Sequence, residues 1–120
     1  MDLRNVVVAI SGASGSIYGI RVLQMLRQVE DVNSHLVITP SAKSTIGVET
    51  EYSVSEIEEL ADEVHSARDI GASIASGSFK TVGMIVAPCS IKTLSAIANS
   101  FGADLVSRAA DVTLKERRPL

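Results

Sequence analysis

Short, unbroken apolar segments alternate along this chain with segments in which apolar residues recur every three or four positions. The first apolar segment, residues 5–10, reads NVVVAI and stops at a glycine-rich loop. Such a run is typical of a strand that is covered on both faces, as in a parallel sheet. Residues 16–29 follow with apolar side chains at helical spacing, which predicts an amphipathic helix. A chain that repeats this alternation is restricted to folds in which helices cover a mostly parallel sheet.

Two further apolar runs continue the pattern. Residues 34–39 and 81–87 predict a second and a third strand, and Pro88 ends the latter. Pro40 suits the first turn of a helix, which we expect to extend to about residue 48. Because crossovers between parallel strands are right-handed, the helices should lie on both faces of the sheet.

Three more helices are predicted. Ser55 and Glu58 form a capping-box pattern at the start of an apolar face, which predicts a helix over residues 52–64. Residues 91–100 and 104–117 predict the last two helices. The resulting order is β-α-β-α-α-β-α-α, an α/β domain with three parallel strands.

The composition is that of one small folded domain, residues 1–120. Hydrophobic residues make up 46% of the chain, which is enough for a packed core. The net charge of −3 gives no general attraction to nucleic acid or to an anionic membrane, and the apolar run at residues 6–10 is too short to span one. Cys89 is the only cysteine, so we expect no internal disulfide and a reducing compartment such as the cytoplasm. Pro119 and Leu120 resemble the approach to a fourth strand, so the sheet is expected to be incomplete.

Ligands of open α/β sheets bind at the carboxyl ends of the strands, so the loops at residues 11–16, 39–44 and 87–93 form the candidate site. All three loops are rich in glycine or in small hydroxyl residues. Gly12 and Gly15 allow a phosphate to approach the backbone and the unpaired amides of the next helix start. The glycine spacing is neither that of the dinucleotide fingerprint nor that of a P-loop. A tight turn without any ligand is therefore the alternative interpretation.

The third loop offers two hydroxyls at a helix start. Ser90 has the position of an N-cap and Thr93 lies one turn on, so both could face an anion, although simple capping explains them as well. Cys89 follows a buried strand, where a lone cysteine is more often inert than nucleophilic. His35 and His65 are isolated and have no partner at metal-ligand spacing, so no metal site is expected.

Charged residues after the second strand and on the last helix can be interpreted in two ways. Glu49, at the end of the second helix, is either solvated or catalytic. Arg108, Asp111 and Lys115 recur at positions i, i+3 and i+7 and therefore share one helix face. They form either a surface ion pair, worth about 0.3–0.5 kcal/mol, or a cationic face offered to a phosphate, in the same or in another subunit.

Four segments of the chain together resemble the UbiX family of flavin prenyltransferases. They are residues 10–15 (ISGASG), 75–79 (ASGSF), 88–94 (PCSIKTL) and 108–119 (RAADVTLKERRP). The resemblance implies a flavodoxin-like Rossmann fold and a homododecamer. It also implies the transfer of a dimethylallyl group from dimethylallyl phosphate to reduced FMN, without a metal. The product, prenylated FMN, would serve a UbiD-type decarboxylase in ubiquinone synthesis or in the breakdown of aromatic acids.

The resemblance also assigns roles to single residues. Those expected to contact FMN are Gly12, Ala13, Ser14, Thr39, Ser90, Ile91, Lys92 and Thr93. Thr39 takes the position of a family serine and keeps its hydroxyl. The residues expected at the reacting centre are Glu49, Arg108 and Lys115.

Members of this family continue beyond the Arg-Arg-Pro-Leu sequence into a region with further substrate-binding residues. We therefore expect this chain alone to be inactive or poorly folded unless that region is supplied separately. Two other functions are compatible with the residues. One is an FMN-binding subunit without catalysis. The other is a flavin-dependent decarboxylase related to the cysteine decarboxylases, although the His-centred site of that group is missing from this sequence.

Overall fold

The computed structural model describes residues 3–120 and contains a sheet of four parallel strands with helices on both faces. The strands are β1 (Arg4–Ile10), β2 (Val32–Ile38), β3 (Glu63–Ser66) and β4 (Gly83–Val86). The helices are α1 (Ser16–Leu26), α2 (Pro40–Glu49), α3 (Val54–Glu58), α4 (Ile91–Ala98) and α5 (Leu105–Lys115), with a short 3-10 helix at Ser73–Ala75. The spatial order β3-β2-β1-β4 makes β1 and β4 neighbours and confirms the α/β, flavodoxin-like fold class. Within residues 3–120, no helix combines the length and the apolar character needed to cross a membrane.

Strand β1 lies inside the sheet and is buried from both sides, which explains its unbroken apolar sequence. Val6, Val8 and Ile10 share one core cluster with side chains of α1, α2 and α3. Val7 and Ala9 point to the other face and share a second cluster with side chains of α5. Since burying an aliphatic side chain contributes roughly 1.5–3 kcal/mol, these residues fix β1 firmly between the two layers. The loop that follows β1 therefore starts from a rigid position.

The predicted helix over residues 52–64 is wrong in its second half. Helix α3 ends at Glu58, and Glu63–Ser66 form strand β3, which pairs in parallel with β2. Apolar residues continue at helical spacing up to Val64 and suggest a longer helix. Three of the four β3 residues are exposed, so the strand lacks the apolar run that marks a buried strand. Hydrogen bonds to β2, a partner distant in sequence, decide its conformation.

The sequence analysis also places the capping box of this helix two residues too late. The capping box is formed by Ser53 and Glu56: the Ser53 hydroxyl accepts from the Glu56 amide at 3.1 Å, and the Glu56 carboxylate accepts from the Ser53 amide at 2.9 Å. Ser55 lies inside the helix. Both pairs fit the Ser-x-x-Glu pattern, so the pattern alone could not choose between them.

Gly19 lets α1 pack closely against the ends of two strands. A Cβ atom at this position would collide with the carbonyl oxygen of Ala87 and lie 2.7 Å and 2.9 Å from the Cγ1 and Cδ1 atoms of Ile10. Contacts this short leave no room for a larger side chain. The first turns of α1, the end of β1 and the end of β4 are consequently held together at one corner of the sheet.

The two histidines are in contact, so the interpretation of them as isolated is wrong. Nδ1 of His35 and Nε2 of His65 are 2.9 Å apart, and the two rings stack with centroids 5.2 Å apart. His35 is buried, and this burial lowers its pKa below the ordinary value. His35 has a structural role, because its ring also hydrogen-bonds Asn5 and packs edge-on against Phe79.

Candidate functional site

A cleft of about 800 Å³ opens at the carboxyl edge of the sheet, among the loops that follow the strands. The chain leaves β1 towards β2 on one side, whereas β4 lies on the other side of β1. The cleft therefore lies at the topological switch point, where open α/β sheets bind ligands. Its volume is within the range of small-molecule and cofactor sites.

Five of the residues expected to contact FMN line this cleft: Gly12, Thr39, Ser90, Lys92 and Thr93. The other three belong to the same loops and helix start but are not among the lining residues; they are Ala13, Ser14 and Ile91. Ser14 instead lines a neighbouring pocket of about 250 Å³ together with Glu49. Six of the eight predicted residues thus line one of these two pockets, whereas Ala13 and Ile91 line neither of them.

The far wall of the cleft comes from residues that the sequence interpretation missed: Arg68, Asn99, Phe101, Asp104 and Ser107. Arg68 follows β3, so it was missed together with that strand. The others lie in the α4–α5 connection and the start of α5. Asp104 and Ser107, three residues apart before an apolar helix, form an N-cap pattern that could have drawn attention to this wall.

The start of α4 confirms the interpretation of Ser90 as an N-cap. Its hydroxyl accepts from the Thr93 amide at 3.1 Å and donates to the Thr93 hydroxyl at 3.0 Å. The cap carries no charge, so the positive end of the helix dipole is left uncompensated. By the geometry of an α-helix, the amides of Ile91 and Lys92 also have no partner within α4.

The start of α2 has the same character. The Thr39 hydroxyl accepts from the Ala42 amide at 3.1 Å, which makes Thr39 a second neutral N-cap on the cleft. The loop after β1 presses against this helix start. A Cβ atom at Gly12 would collide with Cβ of Ser41 and lie 3.1 Å from the carbonyl carbon of Ser41. Glycine is therefore required here by close approach of two backbones.

The start of α1 is different, because a carboxylate occupies it. Glu49, at the end of α2, accepts from the Ser14 hydroxyl at 2.6 Å and from the amides of Gly15 and Ser16 at 3.1 Å and 3.5 Å. These bonds, with that of Ser14 as the largest contribution, hold the pKa of the Glu49 carboxyl below its ordinary value. The amides at this helix start are thus bound to a carboxylate and are not unpaired, contrary to what the glycine loop suggests.

Helix α5 also begins with a carboxylate. Oδ1 of Asp104 accepts from the Ser107 amide at 2.9 Å and from the Ser107 hydroxyl at 2.8 Å. This helix start belongs to the wall of the cleft. Its positive end is already compensated by the charge of its own cap.

Arg108 and Lys115 do not line the cleft within one chain. Arg108 lies near the start of α5, where its Nε donates to the carbonyl oxygen of Gly102 at 2.9 Å. Lys115 is eight residues beyond Ser107, or about 12 Å further along the helix axis. Its ammonium group lies 3.8 Å from the carboxylate of Glu116. One chain therefore does not bring both cations to the same cleft.

Two of the segments that carry the family resemblance meet at the end of α5. The guanidinium group of Arg118 donates to the carbonyl oxygens of Gly77 and Phe79, each at 3.1 Å. A Cβ atom at Gly77 would lie 3.3 Å from Nζ of Lys115. Loop 76–79 and the last turn of α5 consequently form one unit that sets the position of Lys115.

Cys89 has the features of an inert cysteine. The residue is half-buried, and its Sγ lies 3.6 Å from the carbonyl oxygen of Ser90. Burial raises the pKa of the thiol, which lowers the fraction of reactive thiolate.

Curated relatives of this chain are flavin prenyltransferases. Flavin prenyltransferase UbiX of Escherichia coli (strain K12) is 57% identical over 118 residues, which cover 98% of this chain and 62% of the relative. The UbiX enzyme of Thauera aromatica is 61% identical over 115 residues, covering 96% of this chain and 59% of the relative. The chain thus spans about three fifths of the length of the curated relatives it matches.

Solved structures that resemble this chain include UbiX proteins as well. AnUbiX (PadA1) in complex with FMN and dimethylallyl pyrophosphate is 52% identical, with a TM-score of 0.94 over 97% of this chain and 61% of that protein. A dodecameric FMN-dependent UbiX-like decarboxylase from Escherichia coli O157:H7 is 46% identical, with a TM-score of 0.93 over 97% of this chain and 65% of that protein. The FMN-dependent cysteine decarboxylase TvaF is only 17% identical at a TM-score of 0.68, a likeness that extends to the fold alone.

The model of one protein family, described as Flavoprotein, matches residues 1–120. Its match agrees with the parallel sheet and with a cleft at the carboxyl ends of β1 and β4. The chain therefore belongs to the flavoprotein family.

Proposed function

We propose that this chain binds FMN in the cleft at the carboxyl edge of the sheet and forms part of a flavin prenyltransferase. The observation that carries the proposal is the meeting of Gly12 with two neutral helix starts, at Thr39 and Ser90, in a single cleft of about 800 Å³. The similarity to UbiX enzymes, one of them solved with FMN, supports the assignment of the ligand.

The phosphate of FMN is assigned to the starts of α2 and α4. Each helix start carries a partial positive charge of roughly half a unit, and an anion placed between two of them benefits from both. Thr39 and Ser90 use neutral hydroxyls as caps and add no negative charge. The starts of α1 and α5 are unsuitable, because the carboxylates of Glu49 and Asp104 would repel a phosphate.

The proposed reaction transfers a dimethylallyl group from dimethylallyl phosphate to reduced FMN. N5 of reduced FMN would form a bond to the allylic carbon as the carbon–oxygen bond breaks and the phosphate leaves. C6 would form the second bond by addition to the allylic double bond. Of the two protons that N5 and C6 release, one would go to the double bond and the other to the phosphate. The protein must hold the two reactants in line and stabilise the leaving phosphate with amides and cations. Glu49 lies in the pocket next to the cleft, where it accepts a hydrogen bond from Ser14 that favours its charged form. A carboxylate at this place can stabilise a developing positive charge or accept a proton.

The cations Arg108 and Lys115 are proposed to act on the substrate phosphate in an assembled oligomer. About 12 Å of helix separates Lys115 from the cleft wall of its own chain, which favours a contribution to the cleft of a neighbouring copy. The dodecameric assembly of one structural neighbour supports such an arrangement, and we propose a homododecamer for the complete protein. The product, prenylated FMN, is proposed to pass to a UbiD-type decarboxylase.

The assignment is tested in two steps with the purified chain. Titration with FMN under oxidising and reducing conditions, followed by flavin fluorescence or absorption, measures binding. Incubation with reduced FMN and dimethylallyl phosphate, followed by mass spectrometry, measures the prenylated product. Absence of FMN binding by folded protein would refute the proposal as a whole.

A second candidate function is FMN binding without catalysis. The position of Arg108 and Lys115 outside the cleft favours it for the isolated chain. Tight FMN binding without a prenylated product, also in the presence of the region that follows in the relatives, would identify this function. Release of carbon dioxide from an aromatic acid by this chain without a partner enzyme would instead indicate a decarboxylase.

A further inference from the structure

We infer that Ser11 is a positioning residue of the flavin site: it joins the loop after β1 to the start of α4 and thereby sets the geometry of the phosphate position. This inference rests on the proposed function, and it concerns a residue that neither lines the cleft nor belongs to the set expected to contact FMN.

Ser11 makes three hydrogen bonds to the segment between β4 and α4. Its hydroxyl donates to the carbonyl oxygen of Pro88 at 2.7 Å and accepts from the amide of Ser90 at 2.7 Å. Its own amide donates to the same carbonyl oxygen at 3.2 Å. Ser11 itself is fully buried, so water does not compete for its hydroxyl group.

The accepted bond connects Ser11 to the first residue of the α4 cap. The Ser90 hydroxyl is already engaged with the amide and the hydroxyl of Thr93, so it has little freedom to hold the helix start elsewhere. The amide of Ser90 is bound by Ser11, which ties α4 to β1. The amides of Ile91 and Lys92 have no partner within α4, so they point in the direction that the start of the helix sets. Ser11 holds that start in place.

Ser11 lies where it can link a rigid strand to the starts of both α2 and α4. Ser11 directly follows β1, which is buried from both sides, and directly precedes Gly12, which touches the start of α2. One short segment therefore contacts both neutral helix starts. A shift of α4 by a fraction of an ångström would separate donors that must converge on one phosphate.

Ser34 offers a matched control. It is also a buried serine, and its hydroxyl also accepts a backbone amide, that of Asp62 at 3.0 Å, while lying 3.3 Å from the Asp62 carboxylate. Its bonds join β2 to the segment before β3 and do not contact a residue of the cleft. Replacing either serine leaves one amide of a part-buried hydrogen bond without its partner, so both changes should lower stability to a similar extent.

The experiment compares the wild-type chain with Ser11→Ala and Ser34→Ala. Dissociation constants for FMN and for riboflavin, which lacks the phosphate, are measured by flavin fluorescence at a temperature where circular dichroism shows all proteins folded. We expect Ser11→Ala to bind FMN about tenfold more weakly and riboflavin almost unchanged, because a misplaced helix start affects only the phosphate. Ser34→Ala should keep both affinities. Equal effects of the two variants on FMN, or full FMN affinity in Ser11→Ala, would overturn the inference.

A second measurement, made without any ligand, tests the role of Ser11 independently of whether the chain binds FMN. Amide hydrogen exchange measured without ligand reports on the start of α4 directly. Ser11→Ala should accelerate exchange at Ser90 and in the first turn of α4, and Ser34→Ala should not. If the wild-type chain binds no FMN, the proposed function fails, yet this comparison still decides whether Ser11 holds α4. Unchanged exchange at Ser90 in Ser11→Ala would show that it does not.

Discussion

Four helix starts, three on the cleft and that of α1 on the neighbouring pocket, form two pairs that differ in the charge of their caps. Helices α2 and α4 begin with the neutral hydroxyls of Thr39 and Ser90, whereas α1 and α5 begin against the carboxylates of Glu49 and Asp104. Each of the four starts has backbone amides without a partner inside its helix and carries the partial positive charge of the helix dipole. The comparison shows that a helix N-terminus by itself does not create an anion site. The capping group decides which start remains available for a phosphate.

The largest expected effect comes from converting a neutral start into a charged one. Ser90→Asp preserves the cap, since aspartate and serine are equally good N-caps, but adds a negative charge beside the proposed phosphate. At a separation of about 6 Å and an effective dielectric constant of about 20, two unit charges repel by roughly 3 kcal/mol. FMN should therefore bind about 100-fold more weakly, with riboflavin little affected, in a fluorescence titration.

Ser53→Asp is the control for this change, because Ser53 caps α3 and does not line the cleft. It should leave the affinity for FMN unchanged. An equally strong loss of riboflavin binding in Ser90→Asp would contradict the role assigned to charge.

The next effect concerns the approach of the first loop to α2. In Gly12→Ala the new methyl group collides with Cβ of Ser41 and crowds the backbone of Ser41, so the loop and the helix start must move apart. We expect FMN affinity to fall about tenfold and stability to fall by roughly 1–3 kcal/mol, measured by titration and by urea denaturation. Gly47→Ala in α2 is the control. Its new methyl group meets no atom within 4 Å, so this change should be slightly stabilising. Wild-type FMN affinity in Gly12→Ala would show that this close approach does not shape the site.

The carboxylate at α1 predicts a dependence of stability on pH. Because its hydrogen bonds lower the pKa of Glu49 in the folded state, the unfolded chain binds more protons between that pKa and the ordinary value of 4.5. The stabilising contribution is therefore complete above pH 4.5 and is lost as the pH falls through the folded-state value. The difference in unfolding free energy between wild type and Glu49→Gln, measured by urea denaturation from pH 7 to pH 3, should shrink across this window.

Glu51→Gln serves as the control, since it removes an exposed carboxylate two residues further along the chain without touching α1. A difference between wild type and Glu49→Gln that stays constant down to pH 3 would argue against the cap.

The smallest expected effect is at α5. Asp104→Asn keeps an oxygen that can accept from the Ser107 amide but removes the charge that compensates the helix dipole. Stability should fall by about 0.3–1 kcal/mol, while FMN affinity should rise by no more than a few-fold. Asp111→Asn, on the same helix but away from its start, provides the comparison. A fall in FMN affinity in Asp104→Asn alone would mean that this carboxylate binds the ligand.

Local patterns were sufficient for the core of the fold and for part of the site. The unbroken apolar run before Ser11 predicts a buried strand, and Ser90 and Thr93 have the spacing of an N-cap, as found. Strand β3 was not predictable, because only pairing with β2 makes a strand of four largely exposed residues.

The carboxylate at the start of α1 and the hydrogen bond that joins Ser11 to the start of α4 were beyond local reasoning for a similar physical reason. Glu49 is 34 residues from Gly15, and Ser90 is 79 residues from Ser11, so neither hydrogen bond leaves a trace in local spacing. Glycine-rich loops at strand ends look alike in sequence whether a ligand or a carboxylate fills them. The roles of Glu49, Arg108 and Lys115 in catalysis remain predictions from the family resemblance.

Amide chemical shifts measured during an FMN titration test the central claim most directly. In ¹H–¹⁵N spectra of the folded chain, FMN and riboflavin should differ mainly at Gly12 and at the amides of Ser41, Ile91 and Lys92, which surround the proposed phosphate position. The amides of Gly15 and Ser16, bound to Glu49, should respond alike to both ligands. A phosphate-dependent shift concentrated at Gly15 and Ser16, with the starts of α2 and α4 unaffected, would contradict the account.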